Sequence, residues 1–474
     1  MASKRSLDHD ELVNPSIDAA PLQGARSAIA SFQSKCPEGW KVIPLTDAVF
    51  FQEGPGILAK DFRDDGVPLL RLKCIEGDYV RLDGCNFLDP QMVAKKWNHF
   101  RVDDGDLLIS TSATLGRVSV VTPESAGGIP YTGLIRFRPK DTRLDIAYLK
   151  AFLSSSAFVS QAESMATGSV IRHFGPSHIR QMALFLPPIN EQIEIGAINS
   201  ILDERLRAIR GTNATLEAIA QTLFKSWFID FDPVRAKAEG REPDGMDATT
   251  AALLPSTFED DKTIAAMPTG WSSCALYDLA QFINGAAYKA FEPNAERRGL
   301  PIIKIAELKA GVTSQTAFSE VDMPLKYRID SKDILFSWSG NPDTSIDTFV
   351  WSHGAAWLNQ HIFRVVPNAP HERSFVLLTL KHLKSTFAEI ARNKQTTGLG
   401  HVTVADLKRL RIVKPDMSLL KEWNKLVDPL IERAFVTQQQ AQSLVQLRDT
   451  LLPRLISGKL RLPEVQTLVE EPTP

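Results

Sequence analysis

The sequence predicts an α+β fold of two tandem repeats, each a mixed α/β module followed by a long helix, with the two helices paired as an antiparallel coiled coil. Three observations predict it. The chain duplicates itself, each repeat contains short β-branched and aromatic runs broken by Gly, Pro and Asp, and each repeat ends in a seven-residue apolar stripe.

The duplication is legible residue by residue. Gly39-Trp40 opens one half and Gly270-Trp271 the other; Leu45, Asp47 and Gly54 then match Leu276, Asp278 and Gly285. Gly66-Val67-Pro68-Leu69-Leu70-Arg71 echoes Gly299-Leu300-Pro301-Ile302-Ile303-Lys304, and Phe100-Arg101-Val102-Asp103 echoes Tyr327-Arg328-Ile329-Asp330. Asp106-Leu107-Leu108-Ile109-Ser110 matches Asp333-Ile334-Leu335-Phe336-Ser337. The later part of each half repeats at one offset: Pro187 and Pro415 stand 228 residues apart (415 − 187), as do Asn190 and Ser418, and Leu223 and Leu451. A constant offset means no insertions, which suits a rigid element, whereas the drifting offset inside the modules suits surface loops.

Within a module, runs such as Leu107 to Ser110 and Val118 to Val121 predict strands. Ile146 to Ala162 and Ser374 to Ala391 carry apolar residues at spacings of three and four and predict helices. The long helices follow Pro187-Pro188 and Pro415, with Asn190 and Ser418 as expected N-caps. Ile195, Leu202, Ile209, Leu216 and Leu223 recur every seventh residue, with Ile198, Leu206 and Ile219 near the complementary seam. In the second helix Leu420, Val427, Leu430, Leu444 and Leu451 supply the packing positions. Such a period predicts a helix pair; about 38 residues extend roughly 57 Å. A stripe buried only against its own module is the competing reading. Pro429 predicts a kink or break near Asp428. The resulting division is an N-terminal extension (1–36), a first module (37–187), a first helix (188–232), a connector rich in Pro, Gly and acidic residues (233–268), a second module (269–415), a second helix (416–460) and a tail (461–474).

Composition excludes several classes. With 43% hydrophobic and 23% charged residues over 474 positions, the chain reads as a soluble multidomain protein, without an eighteen-residue apolar run to cross a membrane and without a secretory signal. A cytoplasmic location is expected. The four cysteines (Cys36, Cys74, Cys85, Cys274) form no C-x-x-C pair, so no metal site is expected. A formal charge of −2 gives no general attraction to nucleic acid, so any such binding must use local basic surfaces.

Catalytic motifs are absent. Gly458-Lys459 lacks the upstream glycine of a phosphate loop, and Asn341-Pro342-Asp343 is not the Asn-Pro-Pro-aromatic run that holds a flipped base. Gly54-Pro55-Gly56 reads as a turn, not a dinucleotide site. Glu307-Leu308-Lys309 has part of a nuclease spacing, but the other repeat lacks it, and the nine histidines are dispersed.

What the modules offer is polar side chains on loops, the chemistry that reaches base edges and phosphates. Candidates for DNA contact in the first module are Lys60, Arg71, Lys73, Ser112, Thr114, Arg117, Arg172 and His173. In the second they are Lys289, Lys304, Ser339, Asn341, Asn359, Gln360, His361, Lys394 and His401. Trp338, Trp351 and Trp357 are expected beneath loops. A shared frame with different loop chemistry suits two different half-sites.

Two stretches carry a resemblance: Leu223-Phe224-Lys225-Ser226-Trp227-Phe228-Ile229-Asp230-Phe231-Asp232-Pro233 and Leu447-Arg448-Asp449-Thr450-Leu451-Leu452-Pro453-Arg454-Leu455-Ile456-Ser457-Gly458-Lys459, supported by Pro187-Pro188-Ile189-Asn190-Glu191-Gln192. The chain resembles the specificity subunit of type I restriction–modification systems from about Pro37 to Pro463. The resemblance implies two target-recognition domains that read the halves of an asymmetric bipartite sequence on double-stranded DNA, and spacer helices that set the gap. It implies two modification (methyltransferase) subunits that use S-adenosylmethionine to methylate adenine, and restriction subunits that use ATP and Mg²⁺. None of these cofactors is expected on this chain, which is non-catalytic by itself. The long stretch before Gly39 departs from the family pattern and is expected either to pack near the C-terminus or to stay disordered. An assembly scaffold that reads no DNA, or a decayed solitary copy, are the alternatives; salt-dependent DNA affinity separates the first from the family reading.

Overall fold

The computed structural model describes residues 29–30, 32–34, 36–111, 117–165, 174–260, 266–395 and 399–461. The chain divides into two compact units, Met1–Leu206 with Leu444–Pro474, and Arg207–Ser443.

The first unit holds a four-stranded antiparallel sheet in the order Val49–Glu53, Leu134–Pro139, Leu107–Ser110, Val118–Val120. A second sheet orders Phe62–Arg63, Asn86–Leu88, Val67–Leu70 and Ile129–Pro130, its last pair parallel. The second unit repeats the first sheet with Ala280–Asn284, Ile362–Pro367, Ile334–Ser337 and Asp347–Val350. Its other sheet keeps the same parallel pairing, between Leu300–Ile303 and Ala356–Leu358.

The runs Leu107–Ser110 and Ile334–Ser337 are apolar up to a closing serine because they are buried on both faces. Alternate side chains enter different cores. Leu107 and Ile109 join the large core beneath the helices, whereas Leu108 joins a smaller one; Ile334 and Phe336 against Leu335 repeat the division. The matched glycines are explained too. A Cβ on Gly54 lies 2.1 Å from the Pro130 carbonyl oxygen, and one on Gly285 lies 2.2 Å from that of Asn359, so only glycine lets the backbones cross there.

The two long helices, Ile189–Phe228 and Met417–Ile456, are 40 residues each, about 60 Å at the standard rise, and keep the 228-residue offset at both ends. Their pairing is antiparallel. In the first unit Ile195 shares a core with Leu452, Leu455 and Ile456. In the second, Phe224 and Phe228 meet Trp423 at centroid distances of 6.2 and 5.0 Å, and Thr437 hydrogen-bonds Asn213. Ile195, Ile209, Leu420 and Val427 are buried, while Leu202, Leu216, Leu223, Leu430, Leu444 and Leu451 are half-buried. The stripes pack against their modules as well as against each other, so the two sequence readings are both partly right.

Four expectations are corrected. The second helix runs unbroken through Pro429; Trp423 and Val427 are fully buried before it and Phe435 is buried after it, and that packing outweighs one missing backbone bond. Its cap is Asp416, whose Oδ1 accepts from the Ser418 and Leu419 amides at 2.6 and 3.1 Å, so Ser418 lies in the first turn. Asn190 likewise lies inside the first helix, whose Gln192 amide donates to the Pro188 carbonyl. Ile219 is exposed rather than in the seam.

The described residues of the stretch 233–268 form helices Asp232–Ala238 and Ala248–Ala252 and a short pairing of Phe258–Glu259 with Met267–Pro268. Val234, Leu254 and Met267 enter the second unit's core. Of the N-terminal extension, Ile29, Phe32 and Cys36 pack on the first unit's core together with Leu460. Among the described residues no helix is long and apolar enough to cross a membrane.

The two openings of the repeats are closed differently. Trp40 donates its indole N–H to Glu191 Oε2 at 3.1 Å, and Arg461 reaches the same carboxylate at 3.1 Å while lying over the Trp40 ring. Trp271 instead sits against Phe228 and Phe231, at 5.9 and 5.8 Å between centroids.

Candidate nucleic-acid interface

A polar staple frames each module, buried in the first and half-buried in the second. Asp106 Oδ2 accepts the Asp103 amide at 2.8 Å, and Asp333 Oδ2 accepts the Asp330 amide at the same distance. A mate arginine from the neighbouring strand faces each: Arg364 lies 3.1 Å from Asp333 and Arg136 lies 4.0 Å from Asp106. Arg136 and Arg364 also donate to the carbonyls of Arg101 and Arg328. Burial pulls the Arg136 pKa down, with Asp106 opposing it. The four aspartates were visible in the repeat as matched letters, but their pairing and the facing arginines were not.

On this frame Arg71 and Lys304 occupy the same place, the residue after a matched strand. The Arg71 guanidinium lies 5.8 Å from the Phe62 centroid and 5.7 Å from that of Tyr131, and gives one of its five donors to Asn86 Oδ1 at 2.9 Å. Lys304 Nζ lies 5.2 Å from the Tyr288 centroid. An aromatic face holds a cation without consuming its hydrogen-bond donors. Both modules thus present an oriented cation at an equivalent position.

The other candidates separate into groups. Lys60, Lys73, Arg117 and Lys289 are exposed. Ser112, Thr114, Arg172 and His173 lie outside the described residues. In the second module, Ser339, Gln360, His361 and His401 gather around Trp338. Ser339 pairs with His401 across a two-residue ladder, the Trp338 ring lies 5.6 Å from His361, and Gln360 Nε2 is 3.3 Å from His361 Nε2. Trp338 itself donates to Asn284 at 3.1 Å.

Three candidates serve the fold. Asn359 is buried, with its amide donating to the Ile303 carbonyl. Asn341 Oδ1 accepts from the Asp343 and Thr344 amides, holding its own turn. Lys394 pairs with Asp406 at 2.5 Å. Burial opposes ionisation of that carboxyl, but hydrogen bonds from Lys394 and Thr403 prevail and bring its pKa below the ordinary value.

Sequence reading missed Lys95, Lys96 and His99, exposed on the irregular helical segment Pro90–Phe100. Val93, Trp97 and Phe100 anchor that segment in the core that also contains Phe62 and Tyr131, beneath Arg71. The adjacent lysines before Trp97 were the available signal.

All four cysteines are free thiols whose pKa burial raises, which disfavours the nucleophilic thiolate. Glu307 is buried and accepts the Lys304 amide at 3.0 Å, while Lys309 donates to the Thr344 carbonyl. Among the described residues no group of three or more His, Cys, Asp or Glu is arranged to hold a metal.

The family model described as the type I restriction modification DNA specificity domain matches residues 37–218 and 268–443, one copy per repeat. The chain belongs to this family of DNA-specificity proteins. It is 22% identical over 440 residues to the MjaIX type I restriction enzyme specificity subunit of Methanocaldococcus jannaschii, covering 91% of this chain and 96% of that protein. It is 26% identical over 324 residues to the HindI specificity subunit of Haemophilus influenzae, covering 60% and 70%. Among solved structures it is similar to a type I restriction–modification S subunit from M. genitalium, at 14% identity and a TM-score of 0.49 over 88% of this chain and 96% of that one.

Proposed function

We propose that this chain, as the DNA-specificity subunit of a type I restriction–modification complex, reads an asymmetric bipartite sequence, one half with each module. Residues 37–187 and 269–415 act as target-recognition domains, and the helices in 188–232 and 416–460 act as spacers joined through the connector 233–268. The observation that carries this reading is the pair Arg71 and Lys304: one position in a duplicated frame, a cation held on an aromatic face in both copies, and different loop chemistry around it. Lys60, Lys73, Arg117 and Lys289, with the polar ring around Trp338, complete the contacting surfaces. Two modification subunits carrying S-adenosylmethionine and restriction subunits using ATP and Mg²⁺ supply the chemistry, in the cytoplasm.

Mapping methylated adenines in cells that express the chain with its modification partner tests the proposal. One asymmetric split motif, lost when the chain is omitted, is the expected result; unmethylated DNA despite a stable complex points to a scaffold. In the assembled complex, Arg71→Ala and Lys304→Ala should each weaken DNA binding. Where the cation meets phosphate, the slope of log affinity against log salt should fall by about 1. An unchanged affinity and slope in both variants would remove the pair from the interface.

A further inference from the structure

The duplicated helices pose a pairing problem, because each resembles the surface its partner offers. Leu202 and Leu430, Leu216 and Leu444, and Leu223 and Leu451 are mates at the constant offset, so much of either seam accepts either helix. A first helix could pair with the first helix of a second copy, and likewise the second helices, giving an exchanged dimer.

The equivalence breaks most strongly at one charged place; the Thr437–Asn213 hydrogen bond, whose mates are Ile209 and Ala441, is a second and uncharged break. In the first unit Lys150 Nζ lies 2.7 Å from Asp203 Oδ2, Asn199 Nδ2 donates to the same oxygen at 3.2 Å, and Arg448 lies 3.6 Å from Asp203 Oδ1. Asp203 and Asn199 are buried. The mates of Asn199, Asp203 and Arg448 are Val427, Ile431 and Ala220, all apolar, and the stretch matching Lys150 offers Leu377 and Leu378. Ala220, Ile431, Leu377 and Leu378 line one cavity of about 500 Å³ in the second unit, beside the Lys381–Glu217 pair, so the four positions that correspond to the node are apolar and incompletely filled there.

We infer that the Lys150–Asp203–Arg448 node, with Asn199, is a pairing lock that makes the first helix select the second helix of its own chain and reject a second copy. Pairing two first helices sets Asp203 against Ala220 and removes a cation from the node. Pairing two second helices sets Arg448 against Ile431 and leaves its guanidinium without Asp203. Asp449, 2.9 Å from Arg448, accompanies it in either pairing and does not discriminate. A polar group buried in an otherwise apolar helix seam costs little with its proper partner and much with any other, which is how such seams choose partners.

The test makes the two ends alike by opposite chemistry in the full-length chain. Lys150→Leu/Asn199→Val/Asp203→Ile/Arg448→Ala makes both ends apolar; Ala220→Arg/Leu378→Lys/Val427→Asn/Ile431→Asp makes both ionic. Two differently tagged copies are refolded together over a range of concentrations, and the mass of the products is measured by light scattering after size exclusion. Wild type should give monomer throughout. Each symmetrised chain should give a mixed-tag dimer whose fraction grows with concentration, forming on joint refolding and not on mixing folded copies. Monomer alone from both variants overturns the inference, as does wild-type chain that exchanges equally. Failure of either variant to fold also overturns it, since the same residue types already pack at the mate positions.

Discussion

The two repeats begin with the same Gly-Trp pair, yet the first tryptophan is secured by a carboxylate and an arginine and the second by aromatic rings. The difference follows from connectivity. In the second unit the first long helix continues directly into the segment before Trp271, and Phe228 and Phe231 sit on that continuous stretch. In the first unit the corresponding junction joins residues near opposite ends of the chain, Trp40 and Arg461, and a noncovalent junction gains from directional bonds. Covalent continuity allows a nondirectional apolar cluster, whereas its absence calls for hydrogen bonds that specify one arrangement.

The comparison can be broken most forcefully at Phe228, which meets Phe224, Trp271, Phe375 and Trp423. Phe228→Ala should cost about 3–5 kcal/mol, seen as lost hydrogen-exchange protection in the second unit; equal loss in the first unit would mean the units are not separately stabilised. Next is Asp203→Ala, which leaves Lys150 and Arg448 without their shared carboxylate and should cost about 3 kcal/mol in the first unit. Asp203→Asn should restore part of that, and equality of the two variants would reduce the node to simple packing.

Trp40→Phe and Trp271→Phe both lose ring volume, but only the first also loses an indole donor to Glu191, so it should cost about 1.5 kcal/mol more. Glu191→Gln keeps an acceptor for Trp40 but loses the charge facing the partly exposed Arg461; its effect should be below about 1 kcal/mol and should vanish in high salt. Acid should act through Asp406. Its folded pKa is depressed, so the stability it contributes is full above the ordinary carboxylate range and is lost as pH falls through and below it. Lys394→Met should flatten that acid dependence as read by thermal midpoint, and an unchanged profile would separate the pair from stability.

Much of the fold was legible because duplication supplies its own internal control: the constant offset fixed both 40-residue helices to within a few residues. The caps were misplaced because Asp416 follows Pro415 directly and looked like part of the turn. The site was less legible. Arg71 depends on Phe62 and Tyr131, which separate parts of the module bring beneath it, and Lys394 is drawn to Asp406, distant from it in sequence. Asp203 and Asn199 are polar letters beside an apolar stripe, and only the fold shows that they are buried.

The central strand of each module has a further consequence for how such a protein can change over generations. Leu107 and Ile109 belong to the core shared with the helices, while Leu108, between them, belongs to a separate smaller core. Substitutions on the Leu108 side can remould that smaller core while the helix-facing residues remain untouched. Under the proposed function, a new half-site preference can arise on one side of a strand while the helix-facing side stays fixed, independently in each repeat.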